Sequence, residues 1–339
     1  MRKQISKVVG KIKNLLLFSS HFQAANDDLK VRIQNIHDDL RIQIQVANDD
    51  LKNRNQVAND ELKFLMGVMQ SEVVINKSGY QSLADLEFKV FSQFGDDGII
   101  QYLAHNLDLK NKTFIEFGVE DYFESNTRFL LQKDNWSGFV MDGSSEHMTR
   151  LKQSPFYWKH DLSAQAAFVT KENVNQLLSA GLADWAGVDI LHVDIDGNDY
   201  WVWKEIEISP ALVIMEYNSN FGVERAITVP YDPEFYRTKA HSSNLYWGSS
   251  LKALYLLAMK KGYEFIGCNS AGNNAYFVRK DKMNDRVRAV SLENGYVRSK
   301  YRESRDENGD LTFASAKGRA EILRGLPVFD IELESIVSF

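Results

Sequence analysis

Residues 188–203, VDILHVDIDGNDYWVW, decide how this chain is read. The run from Asp189 to Ile195 is short, apolar and rich in branched side chains, which suits one buried strand. It breaks at Gly197 and Asn198 into a segment with helical spacing. A strand apolar on both faces belongs to a parallel sheet covered by helices on each side. Its exit carries Asp194, Asp196 and Asp199. His192 lies in mid-strand beside Ile190, and suits either a proton acceptor near that exit or an ordinary hydrogen-bonded core histidine. The acidic spacing superficially matches a calcium loop with Glu205 at its twelfth place. Asp199 stands where such a loop requires glycine, however, and a strand precedes it, so an EF-hand is excluded.

The same pattern recurs outward in both directions. Strands are predicted at 113–117, 137–142, near 156–160 and at 211–217, alternating with amphipathic helices. A further helix starts near Ser249, runs through LKALYLLAMKK and ends at Gly262, well placed after two lysines to close it. Behind it, YEFIGC and NAYFVRK flank the turn segment AGNN and are expected to pair antiparallel. The expected fold is therefore α/β, a doubly wound Rossmann-like sheet of five parallel strands with a C-terminal antiparallel hairpin. Ligands of such sheets sit beyond the carboxyl ends of the strands. Acidic residues recur there: Glu116, Asp142, Asp161, the Asp194 and Asp196 pair, and Glu216. A nucleoside carrying ribose hydroxyls, an exocyclic amine and an ammonium group would use many such acceptors, and a sulfonium centre tolerates acidic surroundings. Gly118 permits close backbone approach at the first exit. The segment EFGVEDYFESNT around it is not G-x-G-x-x-G, and no P-loop lysine motif occurs, which removes the main support for dehydrogenase and nucleotide triphosphatase readings.

Taken in order, FSQFGDDGII at 91–100, FIEFGVEDYFESNT at 114–127, WSGFVMDGS at 136–144, VDILHVDIDGNDYWVW at 188–203 and PALVIMEYN at 210–218 make the chain resemble the FkbM-like, class I S-adenosylmethionine-dependent methyltransferases. The resemblance runs from about Phe91 to Lys280. It implies S-adenosylmethionine held by Glu116, Gly118 and Asp142, with Asp194 and Asp196 lining the active centre, and O-methylation of sugars, polysaccharides or secondary metabolites. The glycine-poor first loop and the aspartates of DIDGND depart from the family pattern. By position, Asp161 joins the cofactor-binding candidates.

Methyl transfer to a weakly acidic hydroxyl benefits from a base, or from a metal that lowers the hydroxyl's pKa. Asp194 is the first candidate base and His192 the second; Asp196 equally suits the cofactor's amino group. Asp194, Asp199 and Glu216 are hard oxygen ligands that would suit Mg²⁺ or another divalent cation. The long connection from Tyr217 to Trp247 is of a length usually reserved for function. Its Tyr217, Asn218, Tyr231 and His241 are candidates for binding a carbohydrate or glycan-precursor substrate, with Tyr236 and Trp247 as further aromatic surface; a lid without substrate contact is the alternative.

Residues 23–66 repeat with a period of eleven, as QAANDDLKVRI, QNIHDDLRIQI, QVANDDLKNRN and QVANDELKFLM. Eleven residues over three turns predict a right-handed supercoil, and so narrow a stripe implies partner helices from other copies, with Asn55 at a core position to fix register. Ahead of it, Ile5, Val8, Val9, Ile12, Leu15 and Leu16 share a helical face while Arg2, Lys3, Lys7, Lys11 and Lys13 lie elsewhere. A basic amphipathic helix of this kind, residues 1–18, suits peripheral contact with an anionic membrane or packing on its own oligomer. The expected organisation is a basic helix at 1–22, a coiled coil at 23–70, a linker at 71–85 and a catalytic domain at 86–339.

The net charge of −6 gives no overall attraction to nucleic acid, which is not expected as a partner. Cys268 is the only cysteine, so no disulfide forms within the chain. No apolar run reaches the length of a membrane span, and no signal peptide is read. A cytoplasmic protein, peripheral to the inner face of the membrane, is expected. A non-catalytic scaffold binding the same ligands, and a small-molecule N-methyltransferase, are the rival readings.

Overall fold

The computed structural model describes residues 1–182 and 185–339, with the side chains of 2–4 and 53 left aside. Two compact units divide at Phe64 and Leu65. The first lies within helix α1, Arg2–Ile75. Its eleven-residue repeat reappears as a repeated contact: Gln34, Gln45 and Gln56 each donate to the aspartate one turn on, Asp38, Asp49 and Asp60. The apolar stripe is bare, with Leu29, Leu40, Ile44 and Leu62 all more than half exposed. Ile5, Val9, Ile12 and Leu16 are exposed too, whereas the side chains of Arg2 and Lys3, counted in the basic face, lie outside the described residues.

The second unit is built on a seven-stranded sheet: β1 Thr113–Phe117, β2 Ser137–Asp142, β3 Leu162–Ala166, β4 Ile190–Val193, β5 Leu212–Glu216, β7 Tyr263–Cys268 and β8 Asn274–Arg279. A short β6, Ile227–Thr228, joins the C-terminal β9, Pro327–Asp330, and β10, Ser335–Ser338, in a separate three-stranded sheet. The large sheet has the order β3-β2-β1-β4-β5-β8-β7. Its first five strands are parallel, and β8 runs antiparallel between β5 and β7. This is the Rossmann-like arrangement of class I methyltransferases. Order reverses at β1, whose neighbours β2 and β4 lead away in opposite directions, and the crevice of an open sheet lies there.

Helices α2 Asp96–Asn106, α3 Arg128–Asp134, α4 Ser145–Gln153, α5 Val174–Gly181, α6 Asp199–Glu205, α7 Arg237–Ala240, α8 Leu251–Lys261, α9 Leu292–Gly295 and α10 Ala316–Leu323 belong to the same unit. Two apolar cores cover the sheet, one containing Val193, Trp203, Met215 and Leu254, the other Leu103, Phe114, Val140 and Ile214. Alternate residues of each strand enter opposite cores, which is why the strands read as continuously apolar. Gly262 ends α8 in the left-handed region at φ 85°, its N–H donating to the carbonyls of Ala258 and Met259, as its place after two lysines predicts. Residues 71–85 are not a bare linker, because Val74 and Leu83 are buried in the second core.

The third strand differs from expectation. Residues 156–160 contain a 3-10 turn, Tyr157–Lys159, and β3 follows at Leu162–Ala166. As the edge strand it buries only alternate residues, Leu162 and Ala164, so it lacks the continuous apolar signal of its neighbours. Phe156 instead stacks on Tyr122 at 6.1 Å between ring centroids. Asp161 therefore precedes its strand. Its carboxylate accepts from the Ser137 hydroxyl at 2.5 Å, at the amino end of the sheet and away from the crevice, so it is removed from the cofactor-binding set.

Candidate active site

A cleft of about 800 Å³ opens at the carboxyl ends of β1, β2, β4 and β5. Glu116, Gly118, Asp142, His192, Asp194, Asp196 and Glu216 all line it. Parallel pairing does this: Glu116 lies beside both Val140 and His192, so acids at the ends of successive strands emerge on one edge.

Glu116 is fully engaged below the cleft. One oxygen accepts from the Asn126 backbone N–H at 3.0 Å and meets His192 Nδ1 at 2.9 Å; the other accepts from the Ser125 and Thr127 hydroxyls at 2.6 and 2.5 Å. Burial pushes its pKa up, but His192 and these donors outweigh that and hold the carboxyl below its ordinary range. Burial opposes the charge of His192 as well, and the Glu116 carboxylate overcomes it and raises the imidazole's pKa. His192 thus has one nitrogen on Glu116 and the other 3.2 Å from the Asn126 amide, the position of a core histidine that orients the floor of the cleft.

Gly118 is needed for packing: at φ 73°, a Cβ there would overlap the backbone carbonyl of Asp194. The close approach is between two strand exits. Asp142 ties the first two exits together, accepting from the backbone N–H groups of Glu120 and Ser144 at 2.8 Å each. Beside it, Met141, Ala167, Val169 and Phe168 form an apolar wall, with Phe168 47% exposed. Sequence reading passed over Phe168, because misplacing β3 hid that it follows a strand exit.

The next exits carry unusual carboxyls. Val193 pairs with Met215, so Asp194 and Glu216 follow as neighbours at the next step. Burial, then the nearby Asp196, pushes Asp194 up to about 7. Burial, then Asp194, raises Glu216 well above the ordinary range. Burial and the repulsion of like charges both disfavour ionisation of the two adjoining carboxyls together.

Asp199 is a structural clamp. It is buried, and its two oxygens accept from the backbone N–H groups of Ile195 at 2.8 Å and Gly197 at 2.9 Å, shaping the loop between β4 and α6. Both of its oxygens are engaged in holding that loop. Among the described residues no group of three or more histidine, cysteine, aspartate or glutamate side chains is arranged to hold a metal ion.

The long connection contributes Tyr236 and Trp247 to the cleft, as its aromatic content suggests, but not the four residues expected to bind substrate. Tyr217 is buried and donates to the Val297 carbonyl, while the Asn218 amide donates to the carbonyls of Leu245 and Trp247 at 2.8 and 2.9 Å. The Tyr231 phenol bonds Glu172, and His241 Nδ1 meets the Ser243 hydroxyl at 2.8 Å. None of these four is among the described residues lining the cleft; Phe235, Tyr236, Arg237 and Trp247 are. Arg237 ties the rim together. Its guanidinium bonds Asp196 at 2.7 Å, lies 3.6 Å from Glu303 and sits 4.7 Å from the centre of the Trp247 ring. An arginine opening a helix of only four residues gives no periodic signal in sequence.

No family profile matches the chain. No curated protein matches it either. Solved structures do. The chain is similar to the N-terminal domain of EvdMO1 with S-adenosylhomocysteine bound, at 13% identity and a TM-score of 0.32 over 49% of this chain and 72% of that one. An O-methyltransferase from Bacillus cereus in complex with the same molecule has 13% identity and a TM-score of 0.33, over 50% and 74%. A putative O-methyltransferase from Klebsiella pneumoniae has 9% identity and a TM-score of 0.35, over 64% and 90%.

Proposed function

We propose that the protein is an S-adenosylmethionine-dependent methyltransferase that O-methylates a sugar or glycan precursor. The observation that carries this reading is the convergence of Gly118, Asp142, Asp194 and Glu216 in one cleft at the carboxyl edge of a sheet ordered β3-β2-β1-β4-β5-β8-β7. The cleft's chemistry fits the cofactor. Phe168, Met141 and Val169 offer an apolar wall for a flat purine, Asp142 adjoins it for ribose hydroxyls, and carboxyls beyond β4 suit ammonium and sulfonium charge.

When bound, S-adenosylmethionine supplies an electrophilic methyl group. The chain's own residues position the substrate and handle its proton. Asp194, with a pKa of about 7, accepts the proton from the substrate hydroxyl at a carboxylate oxygen. Glu116 and His192 hold the floor of the cleft still. A homo-oligomer joined through α1, with residues 1–18 on an anionic membrane surface, would bring this site to a membrane-associated precursor.

Calorimetric titration with S-adenosylhomocysteine tests the reading. Wild type should bind, Asp142→Ala should weaken binding at least about tenfold, and Asp194→Asn should keep binding within a few-fold while losing turnover. Absence of binding to the wild type refutes the proposal.

A further inference from the structure

Beyond β4 the cleft changes character. Glu216 at the end of β5, Asn274 at the start of β8 and Asn198 at the start of α6 line its far side, 8%, 3% and 4% exposed. Each has a buried oxygen without a hydrogen-bond partner: Glu216 Oε2, Asn274 Oδ1 and Asn198 Oδ1. The amides are not free to turn and offer N–H groups instead. Asn198 Nδ2 is committed to the Asp232 carbonyl at 2.8 Å, and Asn274 Nδ2 to Asp96 at 3.1 Å. Three buried acceptors thus face a cavity and require donors from whatever enters it.

The charge of the wall narrows the choice. Eight carboxyl groups line the whole cleft; the basic groups among its described lining residues are Arg237, already held by Asp196 and Glu303, His192, on Glu116, and His147, 3.4 Å from Asp142. A phosphorylated or nucleotide-linked sugar would enter against this field with no free cation among the described lining residues to receive it. An ammonium group brings three donors and a positive charge, which neutral hydroxyls do not.

Resting on the methyl-transfer reading, we infer that the methyl-accepting substrate is a polyhydroxylated amine of the amino-sugar class, its ammonium held by Glu216 with Asn198 and Asn274 as neighbouring acceptors. Paired with a carboxylate, the amine keeps its proton and has no lone pair for attack. It is therefore a handle, and a hydroxyl of the same molecule is the nucleophile. Because burial and mutual repulsion favour a proton on this pair of carboxyls, an arriving ammonium displaces it.

The test is calorimetry on the full chain saturated with S-adenosylhomocysteine, using D-glucosamine, D-glucose and D-glucose 6-phosphate as probes. Glucosamine should bind at least about tenfold more tightly than glucose, and glucose 6-phosphate most weakly. Titrations in buffers of different ionisation enthalpy should register proton release with glucosamine and none with glucose. Glu216→Gln should remove both the preference and the proton release, leaving S-adenosylhomocysteine affinity within about twofold. Equal binding of glucosamine and glucose by the wild type, undetectable binding of both included, overturns the inference. So does a Glu216→Gln protein that loses S-adenosylhomocysteine and keeps glucosamine, which would assign Glu216 to the cofactor's own ammonium. Failure of the wild type to bind S-adenosylhomocysteine overturns the methyltransferase reading instead, and amine selectivity is then read on the unliganded protein.

Discussion

Glu116 and His192 illustrate how one side chain can look catalytic and serve as support. Their 2.9 Å contact is buried, and every oxygen of Glu116 is already used by Asn126, Ser125 and Thr127. A buried pair of this kind adds little net stability over an apolar replacement, yet removing one partner leaves the other charge uncompensated. Glu116→Gln should therefore lower unfolding free energy by about 3 kcal/mol in urea titration, with the slope against denaturant unchanged. A variant of wild-type stability would show that the pair is dispensable for folding. Asp199 teaches a related lesson. Counted by type it is a metal ligand, but its two bonds to Ile195 and Gly197 make it a loop clamp.

At the scale of elements, α1 is the least self-sufficient part of the chain. Leu29, Leu40 and Ile44 are 55%, 51% and 60% exposed, and a helix cannot keep such a stripe in water cheaply. Self-association through the eleven-residue repeat would cover it. Sedimentation equilibrium of the full chain should report an oligomer, and Leu40→Asp with Ile44→Asp should shift it to monomer without changing S-adenosylhomocysteine affinity. A wild-type monomer at tens of micromolar would remove the coiled coil. No helix among the described residues is long and apolar enough to cross a membrane, so any membrane contact through residues 1–18 would be interfacial.

For the whole molecule, buried carboxyls set the dependence of stability on pH. Burial pushes Asp97 and Asp199 each up to about 6, only partly offset by the N–H donors around them. A carboxyl whose pKa is raised on folding binds its proton more tightly in the native state. That contribution is complete below the ordinary carboxylate range and is lost as pH rises through about 6. His192, also raised, acts in the same direction. Glu116, held low, contributes stability above the ordinary range and loses it only in stronger acid. Unfolding free energy should accordingly rise as pH falls from 7.5 to 5, by about 1 kcal/mol for each of the two aspartates, and Asp97→Asn should flatten that slope whatever its own cost. A flat profile in the wild type would contradict these environments.

What sequence alone determined follows from local periodicity. Alternation of apolar strands and amphipathic helices, the eleven-residue repeat, the cap at Gly262 and the AGNN turn are all properties of neighbours along the chain, and the sheet they imply is the one observed. Strand exits were legible too, except at β3, where an edge position halves the apolar signal. Only tertiary structure decided which acids remain available. Asp161 falls on the opposite edge, Asp199 and Glu116 spend their oxygens on the protein, and Phe168 and Arg237 enter the cleft from segments with no periodic signature, joined by Asn198 and Asn274 at the starts of a helix and a strand. The physical reason is that a carboxylate's role depends on which donors reach it, and those donors come from residues as far as 76 positions away.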